Sequence, residues 1–372
     1  MIKICILTAN RAEYGILKNI IVKLIKNNDF KVEVLVTGSH LDKKFGLTKK
    51  EITNDSIKIN KIINIFPKND KVTEILKFMS HSILEFSKII SPKKYNYLLI
   101  LGDRYDLIAP ALVAFFNNIP IIHINGGDIT KGSLDDNIRN IITSISSIHF
   151  VTNKYSKKRV ENILGNKKNI YNVGSLSYSR IKNTKSISKK TLEKKHNIKF
   201  NKYNCLVTFH PITNNKNQTQ IQIRGLLSAL MELKETMILF TYPNNDEGSE
   251  IIINNINQFI KIYKNSHFFK SLGFDNYINI CKHSDFVIGN SSSFVLEVPM
   301  LNKPSIVIGN RQFGRILSNY TYKTSSNKKN ILQIINKIIY KKDKYKSEKN
   351  IYVKPNTENK IIQLIKKFNS RY

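Results

Sequence analysis

The sequence has no apolar run long enough to cross a bilayer. A spanning helix needs roughly 20 consecutive apolar residues, and runs such as Tyr97–Leu101 and Ile119–Ile124 are far shorter. No secretory leader is expected either: the first strand-like run begins at Ile2, with no basic stretch, apolar core and small-residue cleavage site before it. The expectation is a soluble, cytoplasmic chain with no membrane insertion. Cysteine is scarce. Cys5, Cys205 and Cys281 stand apart and are odd in number, and the first two fall in apolar runs. They read as buried reduced thiols, not as a disulfide framework. No Cys/His spacing matches a zinc site, and no fixed-period repeat runs through the chain.

Acidic residues are few as well: 27 Asp+Glu stand against 60 Lys+Arg, a formal net charge of +33. Such an excess invites a nucleic-acid reading. The lysines, however, are spread along the whole chain among abundant Ile and Asn, which is the pattern of a compositional bias carried on solvated faces. There is no aromatic-studded recognition motif either. No nucleic-acid partner is expected. With 41% hydrophobic residues the chain is not disordered, and 372 residues suit two domains, each with its own core.

Short β-rich runs alternate with helical patterns. Ile2–Leu7, Val32–Thr37, Tyr97–Leu101, Pro120–Ile124 and His149–Thr152 read as strands. Ala12–Lys26, Thr73–Ile90, Leu107–Asn117 and Asp136–Ser146 read as helices between them. A polar stretch from Lys182 to Lys202 reads as a linker with a polar helix, after which the alternation restarts with strands at Tyr203–Phe209, Met237–Thr241, Phe286–Ile288 and Ser305–Ile308. Strand–helix alternation at these lengths predicts parallel, doubly wound sheets. The fold class is α/β, with two Rossmann-like domains facing a cleft: residues 1–180, then 181–356, then a tail helix (357–372) packing back toward the first domain. Such sheets bind ligands at the carboxyl ends of their strands.

The motifs at those ends carry the candidate chemistry. Thr8-Ala9-Asn10-Arg11 follows the first strand and opens a helix, so backbone N–H groups there can face an anion while Arg11 adds a charged fork. Asp103 ends another strand, beside Gly102 and Arg104, and reads either as a cleft carboxylate or as half of a surface pair with Arg104. In His123-Ile124-Asn125-Gly126-Gly127-Asp128 two glycines permit close backbone approach to a ligand. Asp135 and Asp136 either cap the next helix or act in chemistry, and Arg139 is spaced to hold either one. His210 closes the first strand of the second half. Gly289-Asn290-Ser291-Ser292-Ser293 lies between strand and helix, where serine hydroxyls and helix N–H groups make a lysine-free diphosphate cradle. Glu297, read in the first turn of that helix, either accepts from ribose hydroxyls or faces the helix dipole.

Together these stretches resemble the hydrolysing UDP-N-acetylglucosamine 2-epimerases of the sialic-acid type. The matching pieces are TANRAEYGIL from Thr8, LGDRYDL from Leu101, HINGGD from His123, LDDNIRN from Leu134, FHPIT from Phe209, PNNDEGS from Pro243, GNSSSFVLEVP from Gly289 and IGNRQFGR from Ile308. Their order and spread over nearly the whole chain make the resemblance specific. It implies a GT-B-like fold, a homodimer, a nucleotide-sugar substrate, and no metal or nicotinamide cofactor. The implied reaction eliminates UDP across C1–C2 of UDP-N-acetylglucosamine and then hydrates the glycal to N-acetylmannosamine. It implies Asp103 and Asp135 as acid/base groups, Arg11, His210, Ser291 and Ser292 as diphosphate ligands, Glu297 on the ribose, and Arg315 lining the cleft.

Three positions depart from the family pattern. Asn125 stands where relatives carry a carboxylate or histidine; an amide shuttles no proton, so it is expected to orient substrate. Asp128 stands where many relatives have Glu, and Phe294 replaces a glycine and is expected to narrow the cradle. Other readings are the same reaction on a UDP- or GDP-linked 2,4-diacetamido-2,4,6-trideoxyhexose, a GT-B glycosyltransferase, and a non-enzymatic basic binding protein.

Overall fold

The computed structural model describes residues 1–67, 69, 71–130, 134–212, 215–244, 246–341 and 350–370. Thr213 of the FHPIT stretch, Asn245 of PNNDEGS and residues 342–349 of the span assigned to the second domain lie outside the described residues. The chain divides into two compact units. The first takes in Met1–Ile129, Leu134–Lys182 and the segment from Ile351; the second takes in Thr130 and Asn183–Asn350.

The first unit is built on a seven-stranded sheet of β1 (Ile2–Thr8), β2 (Phe30–Val36), β3 (Ile59–Ile62), β4 (Tyr97–Leu101), β5 (Ile121–Ile124), β6 (Ile148–Val151) and β7 (Ile170–Asn172). Every pairing is parallel and the order is β3-β2-β1-β4-β5-β6-β7. Helices cover both faces, which is why the central strands read as continuous apolar runs. The two-residue period divides each run between two cores. Ile2, Ile4, Ile6, Leu99 and Leu101 join one cluster, while Cys5, Leu7, Leu98 and Ile100 join the other. The C-terminal helix Thr357–Asn369 seals the first cluster with Ile361, Ile362, Ile365 and Phe368, against Leu17 and Ile21 of the helix Arg11–Ile25. At about 1.5–3 kcal/mol per fully buried side chain, that contact anchors the end of the chain to this unit.

The second unit repeats the design with β8 (Tyr203–Thr208), β9 (Thr236–Thr241), β10 (Ser266–Phe269), β11 (Phe286–Gly289), β12 (Ser305–Ile308) and β13 (Thr321–Thr324), all parallel in the order β10-β9-β8-β11-β12-β13. In each sheet the order reverses next to the unit's first strand. That places switch points at the carboxyl ends of β1 and β4 in one unit, and of β8 and β11 in the other. The strand and helix readings made from the sequence match elements of both sheets to within a few residues. Four strands carry no sequence signal: β3, β7, β10 and β13, which are the four sheet edges. Among the described residues no helix is long and apolar enough to cross a membrane.

Candidate active site

At the first switch point β1 ends in a self-capped turn. Asn10 has extended backbone (φ −153°), and its side chain accepts from the N–H groups of Ala12 and Glu13 at 3.0 Å. Glu13 reaches back, accepting from Ala9 N–H at 2.9 Å and from Asn10 Nδ2 at 2.5 Å, so the cap is closed from both sides, one residue earlier than in a capping box. Of the backbone N–H groups expected to face an anion here, those of Ala9, Ala12 and Glu13 are taken by the chain's own side chains. Arg11 stands at the first helical position. Burial pushes the Glu13 carboxyl up to about 8; the Ala9 N–H pulls it down, Asp106 adds to the rise, and Arg104 and Asn10 oppose it. Sequence reasoning did not single out Glu13, although its spacing from Asn10 was the available signal.

Across the switch point β4 ends at Leu101, and Gly102 turns with φ +98°. Asp103 follows, with its side chain 26% exposed. Its partner is not the neighbouring Arg104, which pairs with Asp106 at 3.1 Å. Instead Arg139 Nη2, from the helix Leu134–Ser144, donates to Asp103 Oδ2. Arg139 is 1% exposed and also donates to Asp128 O and to Asp136 Oδ1, the latter at 3.1 Å. Arg159, on the helix Lys154–Leu164, holds Asp136 a second time at 2.8 Å and donates to Asp128 O. Of the two adjacent aspartates, Asp136 is therefore committed to arginines, while Asp135 lies half-buried in the first turn of the helix. Nothing in the sequence reading pointed to Arg159.

The turn after β5 differs from the expectation of a glycine-lined ligand approach. A Cβ on Gly127 (φ +77°) would stand 2.3 Å from Ser156 O, and one on Gly126 would stand 3.1 Å from His123 Nδ1. The glycines admit the chain itself. Asp128 accepts from Thr152 Oγ1 at 2.8 Å and Ser156 Oγ at 2.6 Å, which ties the turn to the end of β6 and the helix after it. His123 is fully buried, and desolvation lowers its imidazole to about 4, against the pull of the Gly102 carbonyl. Its neutral ring donates from Nε2 to Gly102 O at 2.8 Å, bracing the turn that presents Asp103. Asn125, at the end of β5, adopts φ +66°, and its backbone N–H donates to Phe150 O at 2.9 Å.

In the second unit β8 leads through Phe209 to the buried His210, and β11 ends at Gly289 beside it. Asn290, 0% exposed, bridges the two exits: its Oδ1 accepts from His210 N–H at 2.7 Å and its Nδ2 donates to His210 O at 2.8 Å. Gln312 Nε2 donates to Asn290 O at 2.9 Å. His210 Nδ1 accepts from Asn244 N–H at 3.0 Å. Ser291 is buried and Ser292 half-buried at the start of the turn; Ser291 Oγ accepts from Ser293 N–H at 3.3 Å, and Tyr277 pairs with Ser293 Oγ at 2.5 Å.

Two expectations about this turn are corrected. The helix is a single turn, Ser293–Leu296, followed by a 3-10 turn, Val298–Leu301, that begins where Pro299 breaks the α pattern. Glu297 is therefore the C-cap residue of the helix, not a member of its first turn, and the helix dipole does not account for it. It is buried, at 6% exposure. Phe294 does not narrow the cradle: it is 0% exposed and packs inward with Leu206, Leu239 and Val287. Arg315 Nη2 donates to Thr130 Oγ1 at 3.3 Å, and the buried Arg311 faces Asp246 at 3.8 Å. In the first unit Asp103 and Asn125 thus follow strand ends, Arg11 opens the helix after β1, and Asp135 and Arg139 lie on the helix Leu134–Ser144; in the second, His210, Ser291 and Ser292 follow strand ends, Glu297 caps the short helix after β11, and Arg315 lies in the loop after β12.

Comparison with known proteins shows the family and the fold. Residues 22–366 match the family model described as UDP-N-acetylglucosamine 2-epimerase. The chain is 39% identical over 319 residues to the GDP/UDP-N,N'-diacetylbacillosamine 2-epimerase (hydrolyzing) of Campylobacter jejuni, covering 84% of this chain and 82% of that one. It is 34% identical to the polysialic acid biosynthesis protein P7 of Escherichia coli, over 99% of this chain and 94% of that one. The crystal structure of UDP-GlcNAc 2-epimerase from Neisseria meningitidis bound to UDP-GlcNAc superposes with a TM-score of 0.80 at 19% identity, covering 98% of this chain and 100% of that one, which establishes the two-domain GT-B-like fold. With two doubly wound units and a family match over most of its length, this chain belongs to the UDP-N-acetylglucosamine 2-epimerase family.

Proposed function

We propose that the protein is a hydrolysing 2-epimerase whose substrate is a UDP- or GDP-linked 2,4-diacetamido-2,4,6-trideoxyhexose of the diacetylbacillosamine kind. A base removes the C2 proton as the C1–O bond breaks, releasing the nucleoside diphosphate and leaving a glycal. Water then adds across the double bond, placing hydroxyl at C1 and a proton on the opposite face of C2. The products are the free 2-epimerised sugar and the nucleoside diphosphate.

The observation that carries the chemistry is Asp103: a carboxylate at a switch point, 26% exposed, fixed by a buried arginine. It is held in one place yet open to a reacting proton. Asp135 is the second acid/base group, Arg139 orients Asp103, and Asn125 orients the sugar. Arg11, His210, Ser291 and Ser292 hold the diphosphate, where charge builds as the bond breaks. Glu297 accepts from the ribose hydroxyls, and Arg315 contributes positive charge near the nucleotide.

The choice of sugar rests on the relative at 39% identity, whose name specifies diacetylbacillosamine. The second reading, UDP-N-acetylglucosamine converted to N-acetylmannosamine, is favoured by the family description and by the polysialic-acid relative at 34%. Release of nucleoside diphosphate from each sugar by the purified protein separates the two. A kcat/KM at least about tenfold higher for the diacetamido sugar is expected; the reverse preference transfers the assignment to UDP-N-acetylglucosamine, and release from neither removes both.

A further inference from the structure

The carboxyl end of β8 is held by an unusually complete set of hydrogen bonds around one residue. Both backbone groups of His210 are bonded to the same side chain, the fully buried amide of Asn290, at 2.7 and 2.8 Å. That amide cannot rotate without losing both bonds, because its oxygen must accept from an N–H and its nitrogen must donate to a carbonyl. The backbone of Asn290 is braced in turn by Gln312, 4% exposed, whose Nε2 donates to Asn290 O. Gln312 joins the loop after β12 to the turn after β11, so a third strand end supports the arrangement.

The side chain of His210 is fixed as well. Its Nδ1 lies 3.0 Å from Asn244 N–H, and a backbone N–H only donates. Nδ1 must therefore be the bare nitrogen of the ring, and the proton of the neutral imidazole sits on Nε2. We infer that Asn290, braced by Gln312, is a positioning residue: it holds the backbone of His210 so that the ring stays against the Asn244 N–H, which keeps it in the Nε2–H tautomer, and His210 serves the reaction as a hydrogen-bond donor and not as a base. The inference rests on the reading of His210 as a diphosphate ligand. It deepens that reading: phosphate oxygens only accept, so a ring locked as an Nε2 donor fits them, and it grows more favourable as charge builds on the leaving group. It also restricts the mechanism. With Nε2 protonated and Nδ1 occupied, neutral His210 has no nitrogen available to take the C2 proton, and that step falls to a carboxylate.

The test is two-bond proton–nitrogen NMR of the full chain labelled with 15N-histidine, with and without UDP, beside kinetics of Asn290→Asp. The aspartate keeps the acceptor for His210 N–H and loses the donor to His210 O. The wild-type protein is expected to show the Nε2–H pattern at His210, with Nε2 shifting more than Nδ1 when UDP binds. Asn290→Asp is expected to show mixed tautomers, with kcat reduced about tenfold or more and KM changed less than about threefold, since the lost interaction matters most in the transition state. If Asn290→Asp does not fold, Gln312→Met, which removes only the donor to Asn290 O, is expected to move the same signals in the same direction. An Nδ1–H pattern in the wild-type protein overturns the inference, as do unchanged tautomer and kcat in a folded variant. The tautomer is read on the free chain and is independent of the reaction. An Nε2–H pattern that UDP leaves untouched therefore upholds the tautomer lock but removes His210 from the diphosphate site.

Discussion

The guanidinium of Arg139, 1% exposed, donates to the Asp103 carboxylate from a helix that begins after the next strand in the sheet, and the same group holds Asp136 and the Asp128 carbonyl. One buried charge thus sets the position of a strand-end carboxylate and of the turn beside it. Removing it takes the arginine from Asp103 and leaves Asp136 and the Asp128 carbonyl to Arg159 alone. Arg139→Met is expected to lower unfolding stability by about 3 kcal/mol, the range for breaking a largely buried ion pair. Urea denaturation measures it; a loss under about 1 kcal/mol would show that water replaces the arginine without cost.

Asp103→Asn keeps the shape of the side chain and a partner for Arg139 but takes no proton. Turnover is expected to fall about 10²–10⁴-fold, the usual worth of a positioned acid or base. UDP affinity by calorimetry is expected to stay within about threefold, because the residues proposed to hold the diphosphate are others. Retained turnover would take Asp103 out of the chemistry.

How far the sequence led can be read from these residues. Strands buried on both faces, such as Ile2–Thr8 and Phe286–Gly289, announce themselves as apolar runs, and the site residues at their ends follow from position. The edge strands do not: Ile59–Ile62 is exposed over three of its four residues, and Thr321–Thr324 has only its first residue buried, so neither carries a hydrophobic pattern. Partner choice was hidden for a different reason. Spacing offered Arg104 for Asp103, and Asp135 or Asp136 for Arg139; the helix does pair Arg139 with Asp136 at i,i+3, whereas Arg139 meets Asp103 only because the sheet sets β4 beside β5. Likewise the glycines at positions 126 and 127 read as ligand-facing until the Ser156 carbonyl is seen against Gly127.

Glu13 gives a dependence on pH. Its carboxyl stands near 8 in the folded chain against 4.5 for the ordinary group, because burial disfavours the charge. A carboxyl raised on folding binds its proton more tightly in the native state, so its contribution is complete below about 4.5 and is lost as pH rises through about 8. The Tm of the wild-type protein is therefore expected to fall between those limits relative to Glu13→Gln, which cannot ionise. Parallel Tm profiles for the two proteins would show that Glu13 is already charged when folded.

Gly289 closes β11 with φ +146°, and a Cβ there would stand 2.0 Å from Thr208 O and 3.2 Å from the Phe294 ring. Neither the paired strand nor the buried ring can retreat. Gly289→Ala is expected to cost about 2–3 kcal/mol by urea denaturation and to weaken UDP binding, since the turn it displaces carries Asn290 and Ser291. An unchanged denaturation midpoint would show that β8 and β11 are not held at that spacing.

The central claim is that the protein breaks the C1–O bond by removing the C2 proton of a nucleotide-linked acetamido sugar. The direct measurement is NMR of the purified protein in D2O with UDP- and GDP-linked diacetylbacillosamine and with UDP-N-acetylglucosamine. The account predicts free nucleoside diphosphate together with a 2-epimerised sugar carrying deuterium at C2. Intact substrates, or a released sugar that keeps its original C2 hydrogen, would contradict it.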